Sequence, residues 1–478
     1  IASIPLTFTA SEAITGFAVE DISFNKGTLG DLSGSGSIYT TTFTQGGQGE
    51  HIINVPVGVY IDASGNANTA ASSFNWTYDS VQPNMDISST TFGVTSGSTT
   101  NNSTIALTFT SSKPTNNFLV GDISFNRGTL TDLSGIGTEG TVYTATFTPN
   151  GQGAHTIYVP VDAYIDSAGN NNTASNIFTW SYDSNSPTMD ISSTTLGVTR
   201  GSTTKTTPID LIFTSSEATT NFQEVDISFN NGTLSNFVRI SDTVYTARFT
   251  PTSPGPVACT IDVLAGAYTD AATNLNNLAT QFAFTFDSVP PTMAITSSAG
   301  TSGSIIDNAT IPLTFTSSKA TNNFVVGDIS VTNGTLSSPL GGSGSVYTAT
   351  FTQAGQGVYI INVPVGAYTD AVGNSNTASN TFSFIFDTPP SMTITSTTAG
   401  VTSGSTTKNT PINLTFTASE AITGFQADDI ILTNGSLNSS FAASSGTDGK
   451  VYTATFTPNG QGVCTIYVPA NRFIADDQ

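Results

Sequence analysis

The sequence repeats itself with a period of about 100 residues, and this periodicity limits the fold more than any other feature. The segment VYTATFTPNGQG at 142–153 returns as VYTARFTPTSPG at 244–255, VYTATFTQAGQG at 346–357 and VYTATFTPNGQG at 451–462, and IYTTTFTQGGQG at 38–49 is a related copy. A unit of this length can bury a core of its own and can be multiplied without loss of stability. The chain is therefore predicted to be an array of similar small domains.

An aspartate followed closely by proline marks each boundary between units. Asp79, Asp183, Asp287 and Asp387 lie in YDSVQP, YDSNSP, FDSVPP and FDTPP. Proline makes such short linkers stiff instead of flexible. The predicted units, called repeats 1 to 5 below, are 1–79, 80–183, 184–287, 288–387 and 388–478, the first and last being partial. We interpret the sequence as a window cut from a longer array.

The apolar stretches inside each repeat alternate with period two. IALTFT, VYTATFT and TIYVPV place apolar residues on one face and mainly Thr on the other, which is typical of half-buried strands. Turn signals such as NRG, NNG and PNGQG separate the runs, and no helical periodicity is present. The strands predicted in repeat 2 lie near 85–95, 103–111, 121–126, 129–133, 141–148, 153–160 and 174–182. Seven short strands in about 100 residues predict an all-β fold, a tandem array of immunoglobulin-like seven-strand β-sandwich domains.

Composition excludes some classes of function. The formal net charge is −22, from 33 acidic and 11 basic side chains, so the chain offers little to neutralise a phosphate backbone and no nucleic-acid partner is expected. No stretch of about 18 apolar residues exists, so no membrane span is predicted in this window. Only 9% of residues are charged, yet 10% are aromatic, which indicates a folded chain with a polar surface of Ser, Thr and Asn. Such a surface is more usual outside cells.

Several segments resemble bacterial immunoglobulin-like repeats. They are SSEATTNFQEVDISFNNGTL at 215–234, VYTATFTPNGQG, and AYTDAVGN at 367–374. The family builds large repetitive surface adhesins and biofilm-associated proteins, and the resemblance covers essentially the whole chain. It implies a rod-like, non-catalytic, structural stalk or shaft of an extracellular cell-surface adhesin or filament. The implied partners are the neighbouring repeats of the same chain and other copies in a filament or surface layer.

Two alternative functions remain open on the sequence. The chain could be the subunit of a self-assembling extracellular filament, completed by strand exchange between chains. It could instead be an array of carbohydrate-binding modules, which would need exposed aromatic side chains on one face. Trp76 and Trp180 occupy the final strand of their repeats and align with Phe284 and Phe384, which favours core packing.

The histidines and cysteines share one aligned position and do not indicate catalysis. This position, just after the GQG-type turn, is occupied by His51, His155, Cys259, Tyr359 and Cys464. A strand position that accepts His, Cys and Tyr, with no second reactive group nearby, is expected to be structural. The two cysteines are too far apart along a rod to form an intrachain disulfide.

The linker aspartates are candidate calcium ligands. In tandem sandwiches the last strand of one domain ends beside two loops of the next, so oxygen ligands would converge at each junction. Calcium prefers six to eight oxygen ligands, and acidic side chains supply them. The predicted structural calcium sites comprise Asp79, Asp122 and Asp166; Asp183, Glu217, Asp226 and Asp270; Asp287, Asp328 and Asp370; and Asp387, Glu420 and Asp429.

A competing interpretation makes these residues ordinary turn formers. Asp and Asn in DSAGNNN and DAVGNSN can bond to their own turns through the side chain. The position held by Glu217 and Glu420 is also Lys113 in repeat 2 and Lys319 in repeat 4. A lysine there would oppose a cation, or replace it with a salt bridge to the linker aspartate. Calcium is therefore expected mainly before repeats 3 and 5.

Overall fold

The computed structural model describes residues 3–135, 140–438, 440–445 and 448–476, so the outermost residues of the first and fifth predicted repeats lie outside it. The described residues form strands and single-turn 3-10 helices, with no α-helix among them, and the predicted all-β class is confirmed. None of the helices in this part of the chain has the length and hydrophobicity of a membrane span.

Each repeat consists of short strands. Repeat 1 contains β1 (Ser3–Thr9), β2 (Ile14–Thr15), β3 (Ser23–Phe24), β4 (Gly27–Leu29), β5 (Ser33–Ser35), β6 (Ile38–Gln45), β7 (Gly49–Asn54), β8 (Ile61–Asp62) and β9 (Phe74–Tyr78). Repeat 2 contains β10 (Met85–Ser89), β11 (Ser98–Thr100), β12 (Ile105–Thr115), β13 (Ser124–Phe125), β14 (Gly128–Thr131), β15 (Gly140–Pro149), β16 (Gly153–Tyr158) and β17 (Phe178–Tyr182).

The later repeats follow the same order. Repeat 3 contains β18 (Met189–Ser193), β19 (Thr203–Thr204), β20 (Ile209–Ser215), β21 (Ile227–Asn230), β22 (Gly232–Arg239), β23 (Val244–Pro251), β24 (Val257–Val263) and β25 (Phe282–Phe286). Repeat 4 contains β26 (Met293–Ser297), β27 (Ser304–Ile306), β28 (Thr310–Thr321), β29 (Ser330–Val331), β30 (Gly334–Leu336), β31 (Gly341–Gln353), β32 (Gly357–Asn362) and β33 (Phe382–Phe386). Repeat 5 contains β34 (Met392–Ser396), β35 (Ile412–Ala418), β36 (Ile422–Thr423), β37 (Ile431–Thr433), β38 (Gly435–Leu437), β39 (Ala442–Ala443), β40 (Val451–Pro458), β41 (Thr465–Tyr467) and β42 (Ile474–Ala475). The 3-10 helices are Val19–Asp21, Val120–Asp122, Glu224–Asp226, Val326–Asp328 and Ala427–Asp429.

Repeats 2 and 4 are sandwiches of two four-stranded sheets. In repeat 2 the sheet β10-β12-β15-β14 packs against the sheet β11-β17-β16-β13, and repeat 4 has the same order in β26-β28-β31-β30 and β27-β33-β32-β29. All pairs are antiparallel except β11 with β17 and β27 with β33. The inward-facing residues of both sheets form one core, which contains Phe109, Phe147 and Trp180 in repeat 2.

The first predicted strand of repeat 2 is divided between the two sheets. The prediction of one strand over 85–95 is wrong there, because β10 ends at Ser89 and β11 begins only at Ser98. Between them Gly93 and Gly97 have φ of 75° and 91°, a backbone conformation that glycine adopts without strain. The repeat therefore has eight strands, since its first strand crosses from one sheet to the other.

The last strand of repeat 2 begins later than predicted. The prediction places it at 174–182, but β17 starts at Phe178 because Asn176 has another role. The Asn176 side-chain oxygen accepts a hydrogen bond from the Ile87 amide at 2.7 Å, and its amide donates to the Ile87 carbonyl at 2.9 Å. This side chain therefore bonds to the edge of β10 as a neighbouring strand would.

Contacts divide the chain into two compact units. The first comprises Ile1–Arg200, Pro208–Thr250 and Thr260–Ala283, and the second comprises Gly201–Thr207, Pro251–Cys259 and Phe284–Gln478. Every junction contact described below lies within one of these units.

Candidate cation sites at the repeat junctions

The linker aspartates are bonded to the repeat that precedes them. The Asp183 amide donates to the Thr100 carbonyl at 2.9 Å, and the Asp287 amide donates to the Thr204 carbonyl at 2.9 Å. After Asp183, the Gln152 side chain accepts from the Ser184 amide at 3.0 Å. The GQG turn that recurs in the sequence therefore holds the start of the linker.

An asparagine of the following repeat fastens the same linker from the other side. The Asn274 side-chain amide donates to the Asp183 carbonyl and to Asp270 Oδ2, both at 2.9 Å. Asn170 and Asn374 bond to the Asp79 and Asp287 carbonyls at 3.0 Å in the same way. The linkers at Asp79, Asp183 and Asp287 are thus tied to both flanking repeats. The sequence pattern by itself indicates only a turn-forming role for these asparagines. The signal for a second role was their spacing, four residues after an aspartate in DSAGN, DAATN and DAVGN.

A lysine closes the junctions before repeats 2 and 4. Lys113 Nζ lies 2.6 Å from each Asp79 carboxylate oxygen and 3.1 Å from Asp166 Oδ2, and it also donates to the Val81 carbonyl. Lys319 Nζ repeats this geometry, at 2.7 and 2.8 Å from Asp287 and 3.1 Å from Asp370 Oδ2. The predicted salt bridges between these lysines and the linker aspartates are confirmed. In both junctions a single ammonium fills a cage of carboxylate and carbonyl oxygens.

The pKa shifts of the aspartates and the lysine in the junction before repeat 2 favour the charged form of each group. The hydrogen bond from Lys113, followed by that from the Val81 amide, holds the pKa of Asp79 below its usual value. Burial alone would raise the pKa of Asp166, but hydrogen bonds from Asn170 and Lys113 outweigh it and the pKa is lowered. Burial would likewise lower the pKa of Lys113, yet its bonds to the two aspartates raise it. All three groups are therefore charged at neutral pH.

The junction before repeat 3 gathers three carboxylates with no lysine. One carboxylate oxygen from each of Asp183, Glu217 and Asp270 lies within 4.8 Å of the others, and within the described ranges this is the one group of three acidic, histidine or cysteine side chains so arranged. Burial raises the pKa of Glu217, and the charge of Asp183 and a hydrogen bond with Asp270 add to the effect. Three negative groups thus repel one another in a partly desolvated space, which is an arrangement that a cation relieves.

Four of the predicted ligands lie elsewhere. Each closes the 3-10 helix to which it belongs, where its Oδ2 accepts a backbone hydrogen bond at 2.7–2.8 Å from the residue three positions earlier. They are Asp122, Asp226, Asp328 and Asp429. The structure therefore places these four in the turn-forming role and does not bring them to the group of three carboxylates.

The junction before repeat 5 has a different set of groups. Asp387 accepts a hydrogen bond from the Gln356 side chain at 2.9 Å, and Glu420 occupies the position of Glu217. Among the described residues, Ala475 holds the position of the third carboxylate, since β36 pairs Ile422 with Ala475 where repeat 1 pairs Ile14 with Asp62. This junction offers two of the three carboxylates found before repeat 3.

A second contact joins consecutive repeats at some distance from the linker. Asn101 Oδ1 of repeat 2 accepts from Thr273 Oγ1 of repeat 3 at 3.5 Å. At the equivalent positions, Lys205 donates to the Gly373 carbonyl. The loop that carries the candidate ligand Asp270 or Asp370 therefore touches the preceding repeat twice.

The shared histidine position is part of the core. His155 stacks on Trp180 with ring centroids 5.3 Å apart, and its Nε2 bonds to the Gly151 carbonyl at 3.2 Å. Trp180 is only 2% exposed, so it presents no aromatic platform to a sugar. Cys259 is buried at the same position, where burial raises the pKa of its thiol, and Cys464 is also a free cysteine. These residues pack the sandwich.

Repeated two-sheet sandwiches with fastened linkers define a class of tandem-domain proteins. Five consecutive segments match the family model described as "Bacterial Ig-like domain", at residues 2–78, 79–182, 183–286, 287–385 and 387–474. The chain belongs to this family of bacterial immunoglobulin-like domains, and the resemblance inferred from the sequence is confirmed. Comparison with curated proteins finds no match.

Several solved structures are similar to this chain at low identity. Invasin, described as a bacterial integrin-binding protein, is 13% identical, with 81% of this chain and 79% of that chain covered at a TM-score of 0.33. InvD of Yersinia pseudotuberculosis is 15% identical, with 62% and 86% covered and a TM-score of 0.25. The surface-layer protein rSbsC is 14% identical, with 98% and 63% covered and a TM-score of 0.20. These low scores carry no argument about function, and the family assignment rests on the five sequence matches.

Proposed function

We propose that this chain is part of the stalk of an extracellular surface adhesin or filament, with a structural and non-catalytic role. The observation that carries the proposal is the double fastening of the linkers. The bond from Asn274 to the Asp183 carbonyl would have to break before the two repeats could swing apart, because the bond from Asp183 to Thr100 holds the linker to repeat 2. A protein that spaces a binding tip from a cell needs joints of this kind.

The magnitude supports a stiff joint. A typical intramolecular hydrogen bond contributes about 0.5–1.5 kcal/mol, and one to a charged group about 1.5–3 kcal/mol. The junction before repeat 3 has the Asn274 bond and the Thr273 contact between the two repeats, while the Asp183 amide bond holds the linker to repeat 2. Bending that breaks the two contacts between the repeats costs about 1–3 kcal/mol. The proposed stalk would therefore resist bending at this joint.

The distribution of chemical groups supports the proposed surface location and non-catalytic role. The polar surface is rich in Ser, Thr and Asn and poor in charge, which suits a long structure exposed to the extracellular medium. The carboxylates that come together do so at a junction between repeats. His51 and His155 are packed on Trp76 and Trp180 and cannot act as general bases on a substrate.

We further propose that calcium binds between Asp183, Glu217 and Asp270. Three carboxylates supply up to six hard oxygen ligands, which matches the preference of Ca²⁺. The lysine junctions support the fit, since the equivalents of Asp183 and Asp270 hold an ammonium there. The bound ion would brace the junction and carry out no chemistry.

Small-angle X-ray scattering of the whole chain tests the stalk. A strand of about ten residues spans about 33 Å, so each repeat with its linker adds roughly 40 Å and the array approaches about 200 Å. A triple variant, Asn170→Ala, Asn274→Ala and Asn374→Ala, should lower the maximum dimension because the linkers are released. Asn150→Ala, at an exposed position, is the matched control. A compact wild-type particle, or a triple variant as long as the wild type, would refute the proposal.

A further inference from the structure

We propose that the residue at the position of Lys113, Glu217 and Lys319 decides which kind of junction forms. A lysine makes a junction that is closed fully without metal, and a glutamate makes one that a bound divalent cation must complete. The inference rests on the proposed stalk and its calcium site, and it adds the rule by which the chain places cation-dependent joints among permanent ones.

The backbone presents this residue in the same way in every case. The amides of Lys113, Glu217 and Lys319 each lie 3.4 Å from the hydroxyl of the serine two positions earlier. That serine in turn bonds to a buried tyrosine hydroxyl, at 3.0–3.2 Å. A lysine and a glutamate at this position therefore have the same backbone anchor, and their side chains extend toward equivalent oxygen groups at the junction.

The cage selects a cation in the junctions that have lysine. Lys319 Nζ contacts both oxygens of Asp287, Asp370 Oδ2 and the Val289 carbonyl. The junction before repeat 3 keeps the two carboxylates as Asp183 and Asp270, and these are the same groups that hold the ammonium elsewhere. Asp287 and Asp370 bind the Lys319 ammonium, and they are the equivalents of Asp183 and Asp270. This ammonium indicates a cation position at the junction independently of the clustering of Asp183, Glu217 and Asp270.

The charges explain why the glutamate junction needs a second component. Two carboxylates with one ammonium carry a net charge of −1, whereas three carboxylates carry −3. A divalent cation returns the second arrangement to −1. The lysine therefore supplies positive charge from its own ammonium, whereas the glutamate junction takes positive charge from a divalent cation in the medium.

The order of these residues gives the stalk a pattern. Lysine stands before repeats 2 and 4, and glutamate stands before repeats 3 and 5. The joint before repeat 3, which has the full set of three carboxylates, thus stands between two permanent ones. Withdrawal of the cation loosens chosen joints and leaves the others closed.

Substituting lysine for glutamate, and glutamate for lysine, at this position of the whole chain tests the rule. Glu217→Lys should remove one tightly bound calcium per chain in a calorimetric titration, and Lys319→Glu should add one. In chelator, hydrogen exchange of peptides around Asp183 and Asn274 should be as slow in Glu217→Lys as in the wild type with calcium. Glu224→Lys makes the same charge change on an exposed residue of the same repeat and should alter neither result.

The outcomes separate the rule from the function on which it rests. If the wild type binds calcium but Glu217→Lys leaves the junction loose in chelator, the rule is wrong and the calcium site stands. If the wild type binds no calcium at this junction, the calcium proposal and the rule both fail, while the length measured by scattering still decides on the stalk. The rule is also overturned if Lys319→Glu binds no more calcium per chain than the wild type does, while hydrogen exchange in the repeat 4 core shows that this repeat is still folded.

Discussion

Removal of the lysine before repeat 4 is the perturbation whose effect is clearest from the structure. Lys319→Met keeps most of the aliphatic side chain and removes the ammonium. Asp287 and Asp370 then face each other without a counter-charge, with side chains only 10% and 3% exposed. Removing one partner of a buried ion pair costs about 3–5 kcal/mol.

The expected loss is smaller because the junction is only partly buried. The Lys319 side chain is 21% exposed, so solvent screens part of the interaction. Asp370 also keeps hydrogen bonds from the Asn374 amide at 2.8 Å and its side chain at 3.0 Å. We therefore expect the free energy of opening the junction to fall by about 1–3 kcal/mol.

Hydrogen exchange followed by mass spectrometry resolves this loss within one junction. A change of 1–3 kcal/mol corresponds to amide exchange that is about 5–150 times faster in peptides around Asp287 and Asn374. Peptides from the repeat 4 core should be unchanged, and Lys408→Met, at an exposed lysine, serves as the control. Unchanged exchange at the junction in Lys319→Met would refute the conclusion that the ion pair closes it.

Three further predictions concern pH and packing. Burial raises the pKa of Glu217, so in chelator the stability that Glu217 gives to the junction before repeat 3 should be fully present below the ordinary glutamate value of 4.5 and be lost as the pH rises through the raised pKa; exchange of its peptides across this range checks the sign. The pKa of Asp166 is lowered, so the stability that it gives to the junction before repeat 2 should be present above 3.8 and be lost below it, as measured by the same exchange series. A Cβ at Gly128 would collide with the Phe147 ring, so Gly128→Ala should lower the melting temperature of repeat 2 at a cost of about 1–3 kcal/mol, whereas Gly121→Ala, with open space around it, should not.

The periodic features of the fold could be predicted from the sequence. The alternation in VYTATFT fixes which side chains of β15 enter the core, because successive residues of a strand face opposite sides. The division of the first strand was harder to see, since it depends on Gly93 and Gly97 adopting a left-handed backbone. Composition alone does not distinguish such glycines from others in a loop.

The candidate site was predictable in part. The repetition of Asp183 and Asp270 and the appearance of lysine at the position of Glu217 indicated a junction with opposed charges. The sequence did not distinguish Asp226 from the junction carboxylates. Asp226 closes its own 3-10 helix, but it recurs once in each repeat just as an aspartate that faces a neighbouring repeat does. Only the direction of the side chain distinguishes them.

Hydrogen exchange of the unmodified chain, in calcium and in chelator, compares the proposed calcium junction with the lysine-closed ones. Peptides that cover Asp79, Asp183 and Asp287 report on three junctions in one sample. We predict that calcium slows exchange around Asp183 and leaves the two lysine-closed junctions unchanged. Equal behaviour of all three junctions, whether all respond to calcium or none does, would contradict this prediction.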